Sequence, residues 1–247
     1  SIRLLKPLIG ETIYVFGMGL IGLIAVQILI NNGCNVIAID YNNERLDKAK
    51  LYGADVVLLT KKASIVNQIN KFSSLEPADG VIIATNTKSN EPLDLASSVS
   101  RKKGRIILVG DSGINVNRTE FYNKELTFQV SRSYGPGRYD KNYEEEGIDY
   151  PIEYVRWTQK RNFEAILQLL RNKKLDFKSL ITHQFTIEEV TDLYDTLNNP
   201  SFLGVIIKYK KETSTKTTIF NNDNDIEINP KSNLNTGFIG AGNYCRS

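Results

Sequence analysis

The sequence predicts a doubly wound α/β fold built on a mainly parallel six-stranded sheet. Short β-branched runs alternate with amphipathic stretches through the first half of the chain, the pattern of linked βαβ units. The early runs are apolar almost throughout, as strands covered on both faces must be. A glycine-rich turn, GMGLIG at Gly17 to Gly22, joins the first run to the first amphipathic stretch.

In chain order, the strands are TIYVFG (12–17), NVIAID (35–40), DVVLL (55–59), DGVIIAT (79–85), GRIILVG (104–110) and ELTFQV (125–130). Residues 20–31, 44–52, 62–72 and 92–102 carry apolar side chains at helical spacing and read as the helices between strands. After residue 131 the alternation stops. The segment SRSYGPGRYDKNYEEEGIDYP (131–151) is rich in tyrosine, glycine and proline, a long loop of the functional or disordered kind. Its aromatics argue for order. A helix follows with Phe163, Ile166, Leu167 and Leu170 on one face, and another begins near Thr186, where Glu189 completes a capping box. GVIIKY (204–209) closes the compact region, and Lys210 to Thr236 reads as a polar linker.

With 247 residues, 41% hydrophobic and 24% charged, the chain can bury one large core or two small ones. Its 31 basic and 28 acidic residues leave a net charge of +3, too balanced to recruit nucleic acid or a membrane surface. No apolar run approaches the ~20 residues of a membrane helix, and no secretion signal opens the chain. A cytoplasmic protein acting on a small molecule is expected. Cys34 and Cys245 give neither a disulfide framework nor a metal knuckle. With His183 the only histidine, a histidine zinc site or a Ser-His-Asp triad is hard to assemble, and no metal site is expected. Cys34, flanked by Gly33 and Asn35, reads as a small buried filler.

Gly17-x-Gly19-x-x-Gly22 has the spacing of a dinucleotide turn. Gly17 permits the tight turn, Gly19 lets backbone approach a pyrophosphate, and Gly22 lets helix and strand pack closely. The helix opens at Leu20 and Ile21, whose N–H groups then face the phosphates. The second strand ends in Asp40, which can accept both hydroxyls of an adenosine ribose but repels a 2′-phosphate. The fold is therefore of Rossmann type and the expected cofactor is NAD. Arg45 is the only cation near Asp40, and as a plain helix residue it is a solvated charge.

The stretch GETIYVFGMGLIGLIAVQILINNGCNVIAIDYNNERLDKAKLYGAD, continuing through GRIILVG to LITHQFTIEEVTDLYDTLNNPSFLGVIIKY, resembles the cofactor-binding domain of medium-chain, zinc-type alcohol dehydrogenases. The likeness spans about residues 1 to 210. It implies that Arg45 touches the adenosine and that Thr85, Val109 and Gly110 flank the nicotinamide. In that family most catalytic zinc ligands lie in a GroES-like domain ahead of the glycine turn. His183 falls where the family usually has a packing residue. The resemblance also implies a homodimer through the sixth strand, whose exposed edge is a template for pairing.

The tyrosine-rich segment is similar to one in bacterial two-domain oxidoreductases of surface polysaccharide synthesis, whose second half is of the Gfo/Idh/MocA type. GFIGAGNYCRS (237–247) looks like the opening of that second half. The resemblance implies residues 1–210 as an NAD-binding domain, 211–236 as a linker, and 237–247 as the severed start of a second dinucleotide-binding domain. Two functions follow from it. The domain serves hydride transfer on a carbohydrate or sugar-nucleotide hydroxyl, or it is a non-catalytic module serving the second dehydrogenase half. The piece alone is expected to be inactive. Ser133, Tyr134, Arg138 and Tyr139 either line the substrate side or pack on other domains. Glu144, Glu145, Glu146 and Asp149 read as a solvated acidic turn, and Trp157 as a packing anchor.

Overall fold

In the computed structural model, residues 1–60, 75–191, 193 and 201–209 are described. Helix α1 (Ile2–Leu5) precedes β1 (Thr12–Phe16), α2 (Leu20–Asn31), β2 (Asn35–Asp40), α3 (Asn43–Leu51) and β3 (Asp55–Leu58). The chain then forms β4 (Ala78–Ile83), α4 (Glu91–Val99), β5 (Ser100–Leu108), α5 (Arg118–Lys124) and β6 (Thr127–Val130). All pairings among these six strands are parallel, in the order β3-β2-β1-β4-β5-β6. The two strands nearest the glycine turn, β1 and β4, pair at the centre with Ile13 opposite Gly80.

Alternation along β1 divides the core. Ile13 and Val15 join Leu23, Val26 and Leu29 of α2 and Leu46 of α3 on one face. Tyr14 and Phe16 join Leu93, Ala96 and Val99 of α4 on the other. Helices on both faces explain why β1 is buried at every position. Each fully buried aliphatic side chain contributes about 1.5–3 kcal/mol.

Several boundaries differ from the sequence expectation, and those around β5 and β6 have a visible cause. The helix expected over 92–102 ends at Val99, because Ser100 turns to extended backbone and its hydroxyl donates to Ala96 O at 2.7 Å. Residues 100–102 belong instead to β5, where Arg101 pairs with Asp79. The sixth strand starts at Thr127 rather than Glu125, since Glu125 takes a left-handed conformation (φ 50°) as the C-cap of α5. The 62–72 helix and the segments 211–236 and 237–247 lie outside the described residues.

Beyond the sheet, the tyrosine-rich segment contains the short helix α6 (Lys141–Glu144) and leads into α7 (Gln159–Arg171). A second sheet, not legible in the sequence as a pair, joins β7 (Ile181–Thr186) to β8 (Gly204–Lys208) in parallel. At Thr186 the expected capping box forms, with the backbone N–H donating to Glu189 Oε2 at 2.8 Å, and the 3-10 turn Ile187–Glu189 leads into helical backbone at Val190 and Thr191.

Candidate functional site

Parallel strands place all six carboxyl ends on one edge of the sheet, where open α/β sheets bind ligands. Gly17 follows β1 there with φ 92°. A Cβ on Gly17 would lie 2.9 Å from both Ala84 O and Thr85 Cγ2, so β1 and β4 approach too closely for any side chain. A Cβ on Gly22 would lie 1.8 Å from Gly17 O, which fixes how tightly α2 sits on the turn. Gly19 is different. It caps α2, and nothing lies within 4 Å of where its Cβ would be. The helix starts with no side-chain cap and no acidic residue in its first turn, so its positive end faces open space. That cradle fits a phosphate group.

Asp40 holds the turn from the next strand. Its Oδ2 accepts from the Met18 N–H at 2.6 Å and its Oδ1 from the Asn42 N–H at 2.8 Å. A carboxylate has about four acceptor sites, which leaves capacity for ligand hydroxyls. Asn42 caps α3, with Oδ1 accepting from the Arg45 N–H at 3.2 Å.

A cleft of about 1070 Å³ opens along this edge. Gly17, Gly19, Asp40, Arg45 and Thr85 all line it. The other sequence-selected residues surround it without lining it. Leu20 and Ile21 are exposed at the start of α2, Gly22 is buried beneath the turn, and Val109 packs into the core. Gly110 lies against the cleft wall, where a Cβ would sit 1.9 Å from Thr85 O. Sequence reading missed several cleft residues: Tyr41, Thr87, Glu91 and Ser201. It also missed Ser112, whose hydroxyl lies 2.7 Å from that of Thr85 and ties the loops after β4 and β5 together. Nothing local marks these residues, because each acquires its place from a partner far along the chain.

The tyrosine-rich segment is not on the cleft. None of Ser133, Tyr134, Arg138 and Tyr139 lines it. Tyr134 lines instead a second cavity of about 370 Å³, together with Arg3, the last turn of α2 and Phe163 of α7. That turn lies at the opposite, amino edge of the sheet. Ser133 Oγ and Tyr139 Oη are 3.1 Å apart, with the Arg132 guanidinium 4.1 Å over the Tyr139 ring. The Ser133 hydroxyl and the Arg138 guanidinium hold the Tyr139 phenol below its usual pKa. Glu144 pairs with Arg138 at 2.5 Å and Asp149 with Arg161 at 3.0 Å, so the acidic turn is partly ion-paired. Trp157 is gripped between Arg3 (3.4 Å) and Arg156 (4.1 Å).

Zinc donors do not converge. Among the described residues no three His, Cys, Asp or Glu side chains form a metal-holding group. The His183 ring packs tilted against Phe202, centroids 4.0 Å apart, and its Nδ1 lies 2.9 Å from Thr182 Oγ1. Cys34 is buried, and that burial pushes its thiol pKa up. The described residues do not fit a zinc site.

Several known proteins are similar to this chain. A sorbitol dehydrogenase of Halalkalibacterium halodurans is 27% identical over 205 residues, covering 80% of this chain and 52% of that protein. An L-threonine 3-dehydrogenase of Bacillus subtilis is 29% identical over 200 residues, covering 80% and 51%. The chain thus spans about half the length of the curated relatives it matches. Among solved structures, the apo form of zinc dependent alcohol dehydrogenase 2 from Streptococcus pneumonia superposes with a TM-score of 0.67 at 16% identity, over 87% of this chain and 56% of that one. A short chain alcohol dehydrogenase of E. coli CFT073, complexed with NADH, superposes with a TM-score of 0.63 at 22% identity, over 83% and 54%. These two establish the fold. The zinc-binding dehydrogenase family pattern matches residues 21–150, more than half of the sequence. That match runs from the first turn of α2 past β6, over Asp40, Arg45 and Thr85 of the cleft, and the chain belongs to the zinc-binding dehydrogenase family.

Proposed function

We propose that the chain is the NAD-binding domain of an oxidoreductase that transfers hydride at a carbohydrate or sugar-nucleotide hydroxyl in polysaccharide synthesis. The observation that carries the cofactor reading is the convergence of Gly17, Gly19 and Asp40 on one cleft at the carboxyl edge. In this reading Gly19 and the N–H groups of Leu20, Ile21 and Gly22 hold the pyrophosphate. Asp40 accepts the ribose hydroxyls, Arg45 borders the adenosine, and Thr85, Val109 and Gly110 form the nicotinamide side. The bound cofactor supplies a ring that exchanges hydride with carbon. The protein supplies orientation and electrostatics. The sorbitol dehydrogenase relative and a superposable galactitol-1-phosphate dehydrogenase support a polyol or sugar substrate.

The domain division carries over as part of the proposal: residues 1–210 as the NAD domain, 211–236 as a linker, and 237–247 as the opening of a Gfo/Idh/MocA-like domain. Cytoplasmic location and a homodimer through the β6 edge belong to it too. Residues 127–130 pair only with β5, leaving that edge open among the described strands. Light scattering checks the dimer, and a monomer mass at micromolar concentration rejects it.

Calorimetric titration tests the cofactor. NADH is expected to bind at least tenfold more tightly than NADPH, about 1.4 kcal/mol. Equal dissociation constants would sink the Asp40 assignment. Binding of S-adenosylmethionine or a UDP-sugar in place of NADH would replace the reading altogether.

A further inference from the structure

Thr85, Val109 and Ser131 follow β4, β5 and β6, which neighbour one another in that order along the carboxyl edge. The Ser131 N–H donates to Leu108 O at 2.8 Å, so the chain leaves β6 beside Val109. Ser133 comes two residues later, at most about 7 Å of extended chain away. From there the chain reverses. Ser133 and Tyr139 take left-handed φ values of 43° and 70°, uncommon for residues other than glycine, asparagine or aspartate. Between them Pro136 O accepts the Gln159 N–H of α7 at 2.8 Å. A Cβ on Gly137 would lie 2.7 Å from the Tyr143 ring, so the loop is packed down as it turns back. Such strain persists only where packing over-determines it, and it gathers at functional sites. Here it sets Tyr139 Oη 3.1 Å from Ser133 Oγ, with the Arg132 and Arg138 guanidiniums 4.1 and 4.6 Å from the ring centre. Glu144 pairs with Arg138. The Ser133 hydroxyl first, then the Arg138 and Arg132 cations, favour the deprotonated phenol. Tyr139 is 55% exposed, which leaves its oxygen open to a ligand.

We propose that Tyr139, beyond the Thr85 end of the cleft, exchanges the substrate's hydroxyl proton, and that Ser133 and Arg132 are its positioning residues. This rests on the oxidoreductase reading above, in which Val109 and Gly110 form the nicotinamide side. As the alcohol carbon gives hydride to the oxidised ring, the Tyr139 phenolate takes the O–H proton. A carbonyl, a reduced ring and a neutral phenol result. In the reverse direction Tyr139 returns the proton to the carbonyl oxygen as hydride reaches its carbon. A general acid–base must ionise readily and stand in a fixed direction, and the cations and the strained reversal supply those two conditions.

The test follows phenol ionisation in the 247-residue chain by ultraviolet difference spectroscopy against Tyr139→Phe, with and without cofactor. One tyrosine is expected to ionise before the others, to vanish in Tyr139→Phe, and to move to higher pH in Arg132→Ala and Ser133→Ala. NAD+ carries a positive nicotinamide ring, so its binding lowers that ionisation further, whereas ADP-ribose, which lacks the ring, leaves it in place. By linkage, NAD+ affinity rises roughly two- to tenfold as the phenol ionises. ADP-ribose affinity stays flat over the same range, and Tyr139→Phe is flat for both ligands. A tyrosine that only packs the loop would not respond to the ring. If NAD+ binds and the Tyr139 ionisation does not move, or if no tyrosine ionises early, the assignment is overturned and the cofactor site stands. If the unaltered chain binds neither ligand, both fall.

Discussion

The two ends of α2 face different cavities, and they are built differently. At its start, backbone makes the site: Gly17, Gly22 and Gly110 sit where a Cβ would fall 2.9, 1.8 and 1.9 Å from main-chain oxygens. At its last turn, side chains make it: Arg3 lines the cavity with its guanidinium 3.4 Å over the Trp157 ring, and Tyr134 meets Phe163 at 5.8 Å between ring centroids. Backbone cannot retreat from an added methyl group without moving a strand, whereas stacked side chains can re-rotate. The first site should therefore fail sharply on small changes, and the second should soften.

The largest effect is expected at Gly22. Gly22→Ala forces α2 off the turn, at a cost of roughly 3 kcal/mol or more, with NADH binding lost. Urea unfolding and calorimetry measure both, and normal binding would break the contrast. Asp40→Ser comes next. It removes the acceptor of two backbone N–H groups, at about 1–3 kcal/mol of stability, and narrows the NADH-over-NADPH preference.

Trp157→Ala probes the other end. It removes two cation–π contacts worth about 0.5–1 kcal/mol each together with packing, while the NADH dissociation constant stays within about twofold. A larger affinity loss would show that the amino-edge cavity communicates with the cleft.

Asp79 gives a smaller effect that depends on pH. Burial pushes its carboxyl up, but bonds from Arg101 and the Thr12 N–H outweigh that and hold it below the ordinary value. A carboxyl depressed on folding stabilises above its unfolded pKa and loses that contribution as pH falls through the folded value. Asp79→Asn is thus expected to cost about 1–2 kcal/mol near pH 7, a difference that shrinks below about pH 4. Smallest of all, removing residues 211–247 should leave NADH affinity within about threefold, roughly 0.65 kcal/mol.

Much of the carboxyl-edge site was legible because its rules are local. Gly17 and Gly22 contact each other within a single turn, and Asp40 ends the strand beside it. Strand and helix periodicity likewise lies within a few residues, so six strands and their order of appearance could be read directly. The start of β6 at Thr127 was read two residues early because the left-handed cap at Glu125 belongs to a helix that weak periodicity concealed.

The amino-acid sequence by itself determined the alternation of elements, the glycine turn, and the acidic residue that holds it. Only the tertiary structure decided that the tyrosine-rich segment lies against the second cavity, that Thr85 meets Ser112, and that Tyr41 meets Glu91. The physical reason is range. Backbone sterics and hydrophobic period act between neighbours in the chain, whereas these contacts exist only after packing has brought distant elements together.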